Sequence, residues 1–316
     1  MGWFWFALTA MLGWGFADLF YKRGTGEEDP RSHLRIAVWV GLVMGVVALC
    51  LLPLSGMRSL GGMLHSAVRY APASLCYILS MIIGYAGLRY LELSVVSPVQ
   101  NASGALSALG ILAWFLLSGR IAGLGEALSP LDIAGTLLIV AGVMALAVFE
   151  RRGEAPGEPG ERRYTRGAGA LIFPLLYCLF DTVGTAADGI ILDEETGLGL
   201  SEIDVLILYG LTFFAVGVGA YIYLWIREGK PYRMFARDQW PKAAAALCEE
   251  AGQVAYVYAM AARPVVAAPM VAAYCAVSVV LSRIFLRERP GGAKYACIAA
   301  IIAGILSLGI SEGLAA

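Results

Sequence analysis

Ten apolar segments, each long enough to cross a lipid bilayer, occupy most of this 316-residue chain. A bilayer core is about 30 Å thick, and a helix needs about 20 apolar residues to cross it. Backbone groups in hydrocarbon must be hydrogen-bonded within the protein, so only helices or closed barrels span it. Because the alternating pattern of barrel strands is missing, we predict helices at 2–21, 33–53, 69–91, 94–118, 131–149, 167–191, 203–226, 240–262, 264–286 and 294–312.

The composition is typical of an all-α membrane protein. Hydrophobic residues make up 59% of the chain and charged residues 15%, whereas a soluble domain carries about 25% charged residues. No basic cluster is interleaved with aromatic residues, so we expect the lipid bilayer, and no nucleic acid, as a partner. The six cysteines lie in apolar segments without metal-ligand or redox spacing. We therefore expect no metal and no other cofactor.

A polar stretch divides the chain into two halves of five predicted helices each. Residues 150–166, ERRGEAPGEPGERRYTR, have the composition of a flexible linker. They separate a first five-helix repeat over 1–149 from a second over 167–316. An odd number of helices in each half requires the two copies to insert with opposite polarity. We therefore predict an inverted repeat, with a substrate site between the copies.

The two halves contain stretches of similar sequence, which supports the repeat. LDIAGTLLIVAGVMALA in the first half parallels AKYACIAAIIAGILSLG in the second, with Gly142 opposite Gly304. Earlier in each half, Pro98 lies opposite Pro269. The fifth and tenth predicted helices, 131–149 and 294–312, are rich in glycine and alanine, which let helix backbones approach closely. We expect these two helices to serve as scaffold or as the contact of a homodimer.

Basic residues predict the orientation. The loops after the odd-numbered predicted helices carry 19 of the Lys and Arg residues, and the other loops carry 4. Cytoplasmic loops of membrane proteins are rich in Lys and Arg. We therefore expect the odd-numbered loops in the cytoplasm, both termini outside, and the protein in the plasma membrane, the inner membrane if the source is bacterial.

Three stretches are similar to a known family. They are LRERPGGAKYACIAAIIAGILSLG near the end, the fourth predicted helix with Pro98 followed by Glu126, and LTAMLGWGFADLFYKRG in the first helix. Together they resemble the ten-helix EamA-type branch of the drug/metabolite transporter superfamily, with Glu288 at the family's glutamate position. The resemblance implies ten helices in two repeats and the transport of small molecules across a membrane.

The sixth predicted helix carries a polar stripe. Tyr177, Asp181, Thr185 and Asp188 follow one another at steps of four and three residues, which places them along one face of a helix. An ionised side chain at bilayer depth costs about 2.5–3.5 kcal/mol on insertion scales. We interpret the stripe as a line that binds substrate, cations or protons. The alternative is a hydrogen bond or ion pair to a neighbouring helix.

The eighth predicted helix carries a second polar sector. Glu249 and Glu250 point about 100° apart on a helix, with Gln253 between them and Tyr256 beside Glu249. A sector this wide favours a cavity over lipid. Adjacent carboxylates suppress each other's ionisation, so we expect at least one to hold a proton near neutral pH. The alternative is a buried pair that satisfies arginine or backbone groups.

Two further helices contribute candidates. In the first, Trp14 and Asp18 share a stripe, and Asp18 contacts either substrate or the basic residues at the helix end. In the fourth, Gln100 and Asn101 lie beside Pro98, whose missing N–H frees a backbone carbonyl for a polar ligand. Neutral amides also join helices to one another, so both roles stay open for Gln100 and Asn101.

These features predict a secondary transporter that works by alternating access. No phosphate-binding glycine motif for ATP is present, so protons or substrate exchange would drive it. The embedded carboxylates and aromatics favour a small organic metabolite such as an amine or amino acid, or a drug-like compound. Two alternatives are a non-transporting membrane sensor or scaffold, and an intramembrane enzyme, for which no embedded histidine provides a base.

Overall fold

The computed structural model describes residues 2–25, 29–57, 59–91, 93–152, 170, 172–195, 197–287 and 292–315, and within these ranges the protein is all-helical without a strand. The α-helices are α1 (Trp3–Gly24), α2 (Ser32–Leu51), α3 (Leu60–Gly87), α4 (Leu93–Gln100), α5 (Ser103–Leu117), α6 (Leu124–Ala127), α7 (Pro130–Arg152), α8 (Ile172–Ile191), α9 (Glu202–Glu228), α10 (Trp240–Ala262), α11 (Pro264–Ala272), α12 (Tyr274–Leu281) and α13 (Gly292–Ala315).

Six helical stretches of the described chain are long and apolar enough to cross a membrane, which fits a membrane protein. They are Trp3–Gly24, Ser32–Leu54, Leu60–Gly87, Glu202–Glu228, Pro264–Leu286 and Gly292–Leu314. Two shorter apolar stretches are Ser103–Leu117 and Pro130–Leu146. The most enclosed of the six is Pro264–Leu286, with 89% of its apolar window buried inside the protein. This stretch therefore lies at the centre of the helix bundle.

Two helices that the apolar pattern predicts as continuous are interrupted. The predicted helix 94–118 ends at Gln100 and resumes at Ser103, as α4 and α5. The predicted helix 264–286 breaks at Ala273 and then ends in a π-helical turn. A proline lies a few residues before each break, and its missing N–H weakens the helical hydrogen-bond ladder. Hydropathy alone does not reveal such a break, because the sequence stays apolar through it.

The boundaries of other helices also differ from the prediction. The third helix begins at Leu60 rather than at residue 69, because the Ser59 Oγ accepts a hydrogen bond from the Gly62 N–H (3.0 Å) and caps the helix. Helix α7 continues to Arg152, into the predicted linker 150–166. The rest of that linker, and Glu288, lie outside the described residues.

The largest helix–helix contacts join the first half of the chain to the second. They pair α1 with α10, α2 with α9, α3 with α8, and α7 with α13. Small residues bring the backbones together: a Cβ atom added to Gly13 would lie 3.0 Å from the Gly252 Cα, and one added to Gly41 would lie 2.9 Å from the Gly217 Cα. The two halves are therefore packed into one another along their helices.

The glycines of the predicted dimer helices are used inside one chain. Helices α7 and α13 pack on each other, and a Cβ atom added to Gly135 would lie 2.9 Å from the Gly304 carbonyl oxygen. The faces that α7 and α13 turn outward carry large apolar side chains, such as Leu137 (61% exposed) and Leu306 (60% exposed). A homodimer through these helices remains a prediction, and it would use the outward faces rather than the glycines.

Candidate functional site

Two small cavities adjoin at the centre of the bundle. Cavity A has a volume of about 30 Å³ and cavity B about 20 Å³, so each holds about one water molecule. Four aromatic residues line both: Trp14, Tyr77, Tyr177 and Tyr274. The polar residues of cavity A include Asp18, Tyr21, Tyr85, Gln100 and Glu249. Those of cavity B include Asn101, Ser103, Asp181, Thr185 and Tyr256.

Asp18 connects the two interrupted helices. The Ser97 Oγ, on α4, donates to the Asp18 Oδ2 at 2.8 Å, and the Ser278 Oγ, on α12, donates to the same oxygen at 2.7 Å. The nearby Lys22 ammonium points elsewhere and donates to the carbonyl oxygens of Leu88 (2.7 Å) and Leu91 (2.8 Å). Asp18 therefore faces the cavity side of α1 rather than reaching toward the helix end.

Glu249 is reached by a chain of phenol groups. The Tyr21 hydroxyl donates to the Glu249 Oε2 at 3.2 Å, and the Tyr85 hydroxyl donates to the Tyr21 oxygen at 3.1 Å. The indole N–H of Trp14 donates to the backbone oxygen of Glu249 at 3.3 Å. These contacts fix the carboxylate from α1 and α3, on the helix face that lines cavity A.

The break between α4 and α5 places an amide at each cavity. Gln100 lines cavity A, is 4% exposed, and its Nε2 has no hydrogen-bond partner among the described residues. Asn101 lines cavity B, and its Nδ2 donates to the Ser97 carbonyl oxygen at 2.7 Å. A buried amide donor without an acceptor is costly, so Gln100 is available to bind an acceptor that enters cavity A.

The polar stripe of α8 meets the cavities over part of its length. Tyr177, Asp181 and Thr185 all line cavity B, and the Ser103 Oγ, at the start of α5, donates to the Asp181 Oδ2 at 2.5 Å. Asp188 lines neither cavity. Instead it accepts hydrogen bonds from the hydroxyls of Tyr70 (3.0 Å) and Tyr256 (3.3 Å), which join α3, α8 and α10.

Two of the predicted site residues on α10 lie outside the cavities. Glu250 and Gln253 are buried, at 8% and 1% exposure, but neither lines cavity A or cavity B. Both amide atoms of Gln253 lack a partner within the described part of the chain. The α10 glutamates therefore do not share one cavity-facing sector: Glu249 lines cavity A, and Glu250 occupies the next face of the helix, about 100° away.

The central carboxylates have hydroxyl partners and no cation. Asp18, Asp181, Asp188 and Glu249 accept hydrogen bonds from serine or tyrosine hydroxyls. Every ion pair within the described residues lies elsewhere and involves Asp29, Asp132, Asp193, Glu195 or Glu228. The centre thus gathers acidic groups whose charge the described side chains do not neutralise.

Several residues around the carboxylates did not stand out in the sequence. Among the hydroxyls that bind them, those of Ser103 and Ser278 were not predicted, because serine in an apolar helix usually bonds to its own backbone. Tyr274 lines both cavities from the start of α12. Its one available signal was a tyrosine in an otherwise apolar run, a few residues after Pro269.

A larger vestibule opens at the end of the bundle where α8 and α10 finish. Its volume is about 450 Å³, and its lining includes Arg120, Glu126, Asp193 and Arg263. The Arg120 Nε donates to the Asp193 Oδ1 at 3.2 Å, and this hydrogen bond raises the pKa of Arg120 above its usual value. Glu126, a motif position of the family resemblance, accepts a hydrogen bond from the Ala122 N–H at 2.7 Å.

The floor of the vestibule separates it from the central carboxylates. Pro264 and Val265 form part of this floor. Gly189, the residue after Asp188, packs below it: an added Cβ atom would lie 3.0 Å from the Pro264 Cβ and 2.6 Å from the Ile111 Cδ1. Pro264 therefore lines the vestibule and packs on the residue next to Asp188.

Comparisons with known proteins report on the fold. No protein-family model matches this chain, and no curated protein matches it. A protein of known crystal structure is similar in fold, with a TM-score of 0.64 and 16% sequence identity over 98% of this chain and 97% of the other. At this identity the similarity shows a shared helical fold over nearly the full length of both chains, and nothing about activity.

Proposed function

We propose that this protein is a secondary transporter of a small organic molecule, an amine, an amino acid or a drug-like compound. In this proposal ten membrane spans form two inverted five-helix repeats, as in the EamA-type transporters that the sequence resembles. The observation that carries the proposal is the group of buried carboxylates at the point where both interrupted helices meet.

Reciprocal contacts between α7 and α13 support the repeat. Gly142 and Gly304 differ by 162 positions, and the same step leads from Ile139 to Ile301. A Cβ atom added to Gly304 would lie 2.8 Å from the Ile139 Cγ1, and one added to Gly142 would lie 2.6 Å from the Ile301 Cγ1. If each residue is replaced by its counterpart 162 positions away, the contact of Gly304 with Ile139 becomes the contact of Gly142 with Ile301. A two-fold relation between repeats requires such a pair of equivalent contacts.

The interrupted helices support a binding site between the repeats. Pro98 and Pro269 differ by 171 positions, and the same step carries the break at Asn101-Ala102 onto Ala272-Ala273. Paired interruptions at corresponding positions of two repeats are typical of transporter binding sites. Both breaks adjoin cavity B, which Asn101 and Ala272 line together.

The charge of the centre supports a positive cargo or coupling ion. Buried carboxylates without a cationic partner are costly when ionised. Asp18, Asp181 and Glu249 therefore favour states in which they hold protons or in which a cation occupies the cavities. A carrier that exchanges protons for an organic cation uses both states in turn, so the cost of the empty ionised centre couples the movement of one to the movement of the other.

The unequal ends of the bundle support alternating access. One end carries the vestibule, whose lining residue Pro264 packs on Gly189, the residue after Asp188. At the other end Lys22, on α1, donates to the carbonyl oxygens of Leu88 and Leu91, just after the end of α3, and cavity A beside them is small. We interpret this arrangement as a closed state that faces the vestibule side, in which the vestibule leads cargo toward the centre.

The proposed orientation follows the count of basic residues, with the vestibule and both termini outside and the plasma membrane as the location. It predicts that a cysteine at Glu194, in the vestibule, reacts with a membrane-impermeant maleimide in intact cells when the six native cysteines are replaced. A cysteine at Lys230, in the loop after α9, should react after permeabilisation only. The reverse pattern would contradict this orientation.

Transport by purified protein in liposomes tests the proposal. A panel of amines, amino acids and related metabolites is first ranked by thermal stabilisation of the protein, and the best compounds are then offered as radiolabelled cargo under a proton gradient. Uptake that depends on the protein supports a transporter. A sensor or scaffold would be stabilised without moving any compound, and an intramembrane enzyme would change the compound chemically.

A further inference from the structure

The segment between α9 and α10, residues 229–239, folds back over the protein in a fixed conformation. Gly229 ends α9 with a left-handed backbone (φ +67°), which glycine adopts without strain. The Tyr232 side chain is then buried against Val38 and Leu224, and its hydroxyl donates to the Gln239 Oε1 at 2.6 Å. One side of the segment is thus anchored on α2 and α9.

The other side of the segment presents large aromatic groups. Phe235 is 84% exposed, and its ring stands edge-on to Trp39 at 5.6 Å between centroids. Trp240, 54% exposed, packs edge-on against Phe20. Trp39 lies seven residues after Ser32, the first residue of α2, which corresponds to about 10 Å along the helix. Phe235 therefore lies beside α2 about 10 Å from the start of that helix, on the outside of the bundle.

Four cationic residues lie close to these aromatic groups in the sequence. Arg227, Lys230, Arg233 and Arg237 are exposed, and none of them forms an ion pair within the described residues. By contrast, Arg35 at the same end of the bundle is paired with Asp29 and Glu228. The unpaired charges are therefore available to an external partner.

We propose that this surface, residues 227–240, binds the headgroups of anionic phospholipids, with Phe235 inserted among their acyl chains. Lys and Arg residues near a membrane surface attract anionic lipid, and aromatic rings favour the headgroup boundary. A soluble acidic partner would pair with the four cations, but it would not account for the exposed ring of Phe235 beside α2. The proposal concerns a lipid-facing surface and does not depend on transport.

Native mass spectrometry of the full-length protein, titrated with phosphatidylglycerol or phosphatidylcholine, tests this surface. Wild-type protein should bind phosphatidylglycerol more tightly than phosphatidylcholine. Each of Arg233→Gln and Arg237→Gln should weaken the first phosphatidylglycerol about fivefold and leave phosphatidylcholine unchanged. Phe235→Ser should weaken both lipids. Arg69→Gln, an exposed arginine near the other end of the bundle, and Leu64→Ser provide matched controls that should change neither.

Three results would overturn the proposal. The first is an unchanged preference for phosphatidylglycerol in the Arg233→Gln/Arg237→Gln double variant. The second is an equal loss in Arg69→Gln. The third is displacement of phosphatidylglycerol by inorganic phosphate, which would indicate a site for soluble anions instead of lipid.

Discussion

At the residue scale, the distinguishing feature is how the buried acids are bound. Asp181 receives a serine hydroxyl, whereas the peripheral Asp132, 1% exposed, receives the Arg263 guanidinium at 2.8 Å. Removing a buried charge that lacks a counter-charge relieves a desolvation cost. Removing one partner of a buried pair leaves the other charge uncompensated. The two aspartates should therefore respond in opposite ways to the same substitution.

Asp181→Asn should leave the melting temperature unchanged or raise it, because an amide still accepts the Ser103 hydrogen bond and carries no charge. Proton-coupled uptake should fall by at least roughly tenfold, the effect of losing about 1.4 kcal/mol of cargo or proton binding. Asp132→Asn should lower the free energy of unfolding by about 1–2 kcal/mol. Thermal unfolding and liposome uptake measure the two effects, and a destabilised but active Asp181→Asn would contradict the argument.

Gln100→Leu tests whether Gln100 contributes to cargo binding at cavity A without contributing to the stability of the protein. The wild-type Nε2 donor has no described acceptor, so an apolar residue of similar length should not lower the melting temperature. The affinity for a cargo that offers an acceptor group should nevertheless fall. Isothermal titration with the cargo identified in liposomes measures this change, and Ser74→Ala, at a buried serine outside both cavities, is the control. Unchanged affinity would remove Gln100 from the site.

At this scale the sequence identified the acidic residues of the site better than the residues that donate hydrogen bonds to them. The cost of charge in a bilayer was enough to single out Asp18, Asp181 and Glu249, all of which line the cavities. It could not separate Glu249 from Glu250, because one residue of helix rotation decides which of them meets the cavity. The serine and tyrosine hydroxyls that bind these acids come from other helices, and their positions depend on packing that no local pattern contains.

At the scale of the helices, close backbone contact through glycine holds the halves together. A Cβ atom added to Gly304 would lie 2.6 Å from the Gly135 carbonyl oxygen, so Gly304→Ala should destabilise the protein by about 1–3 kcal/mol. Gly142→Ala should do the same if the contacts are equivalent. Gly313→Ala, in the same helix with open space around it, is the control. Equal melting temperatures in all three variants would contradict this packing.

Lys22 should control access to cavity A from the end opposite the vestibule. Lys22→Met removes the hydrogen bonds to the Leu88 and Leu91 carbonyl groups that follow α3, so a cysteine placed at Leu88, in the cavity lining, should become more reactive toward a water-soluble maleimide. The background protein lacks the native cysteines. Arg23→Met is the matched control, because the Arg23 guanidinium stacks on Phe285 instead. Equal labelling rates in both variants would show that Lys22 does not control access to cavity A.

The sequence predicted that helices dominate the fold but did not predict where they break. Apolar length revealed 94–118 and 264–286 as helical segments, because hydropathy is a sum over many residues. The breaks after Gln100 and at Ala273 depend on a few backbone hydrogen bonds. The prolines were the available signal, and they marked the right region without fixing the residue.

At the scale of the whole molecule, the proposed transporter consists of two repeats that enclose an acidic centre. The paired helices, the paired breaks and the reciprocal glycine contacts agree with one another, although each derives from different residues. Overall charge could not have suggested this centre, because the chain is nearly neutral, with 23 basic and 24 acidic residues. The sequence placed many cations in loops and these acids inside apolar helices, but only the structure shows that Asp18, Asp181 and Glu249 come together around the two cavities.

Proton movement driven by a cargo gradient tests the central claim most directly. Liposomes containing the protein and an internal pH dye receive the best-binding amine or amino acid at equal internal and external pH. Cargo moving down its gradient should drive protons the other way in wild type and in the exposed-acid control Asp238→Asn, but not in Asp181→Asn or Glu249→Gln. Proton movement that persists in both central variants would show that these carboxylates do not carry the exchange.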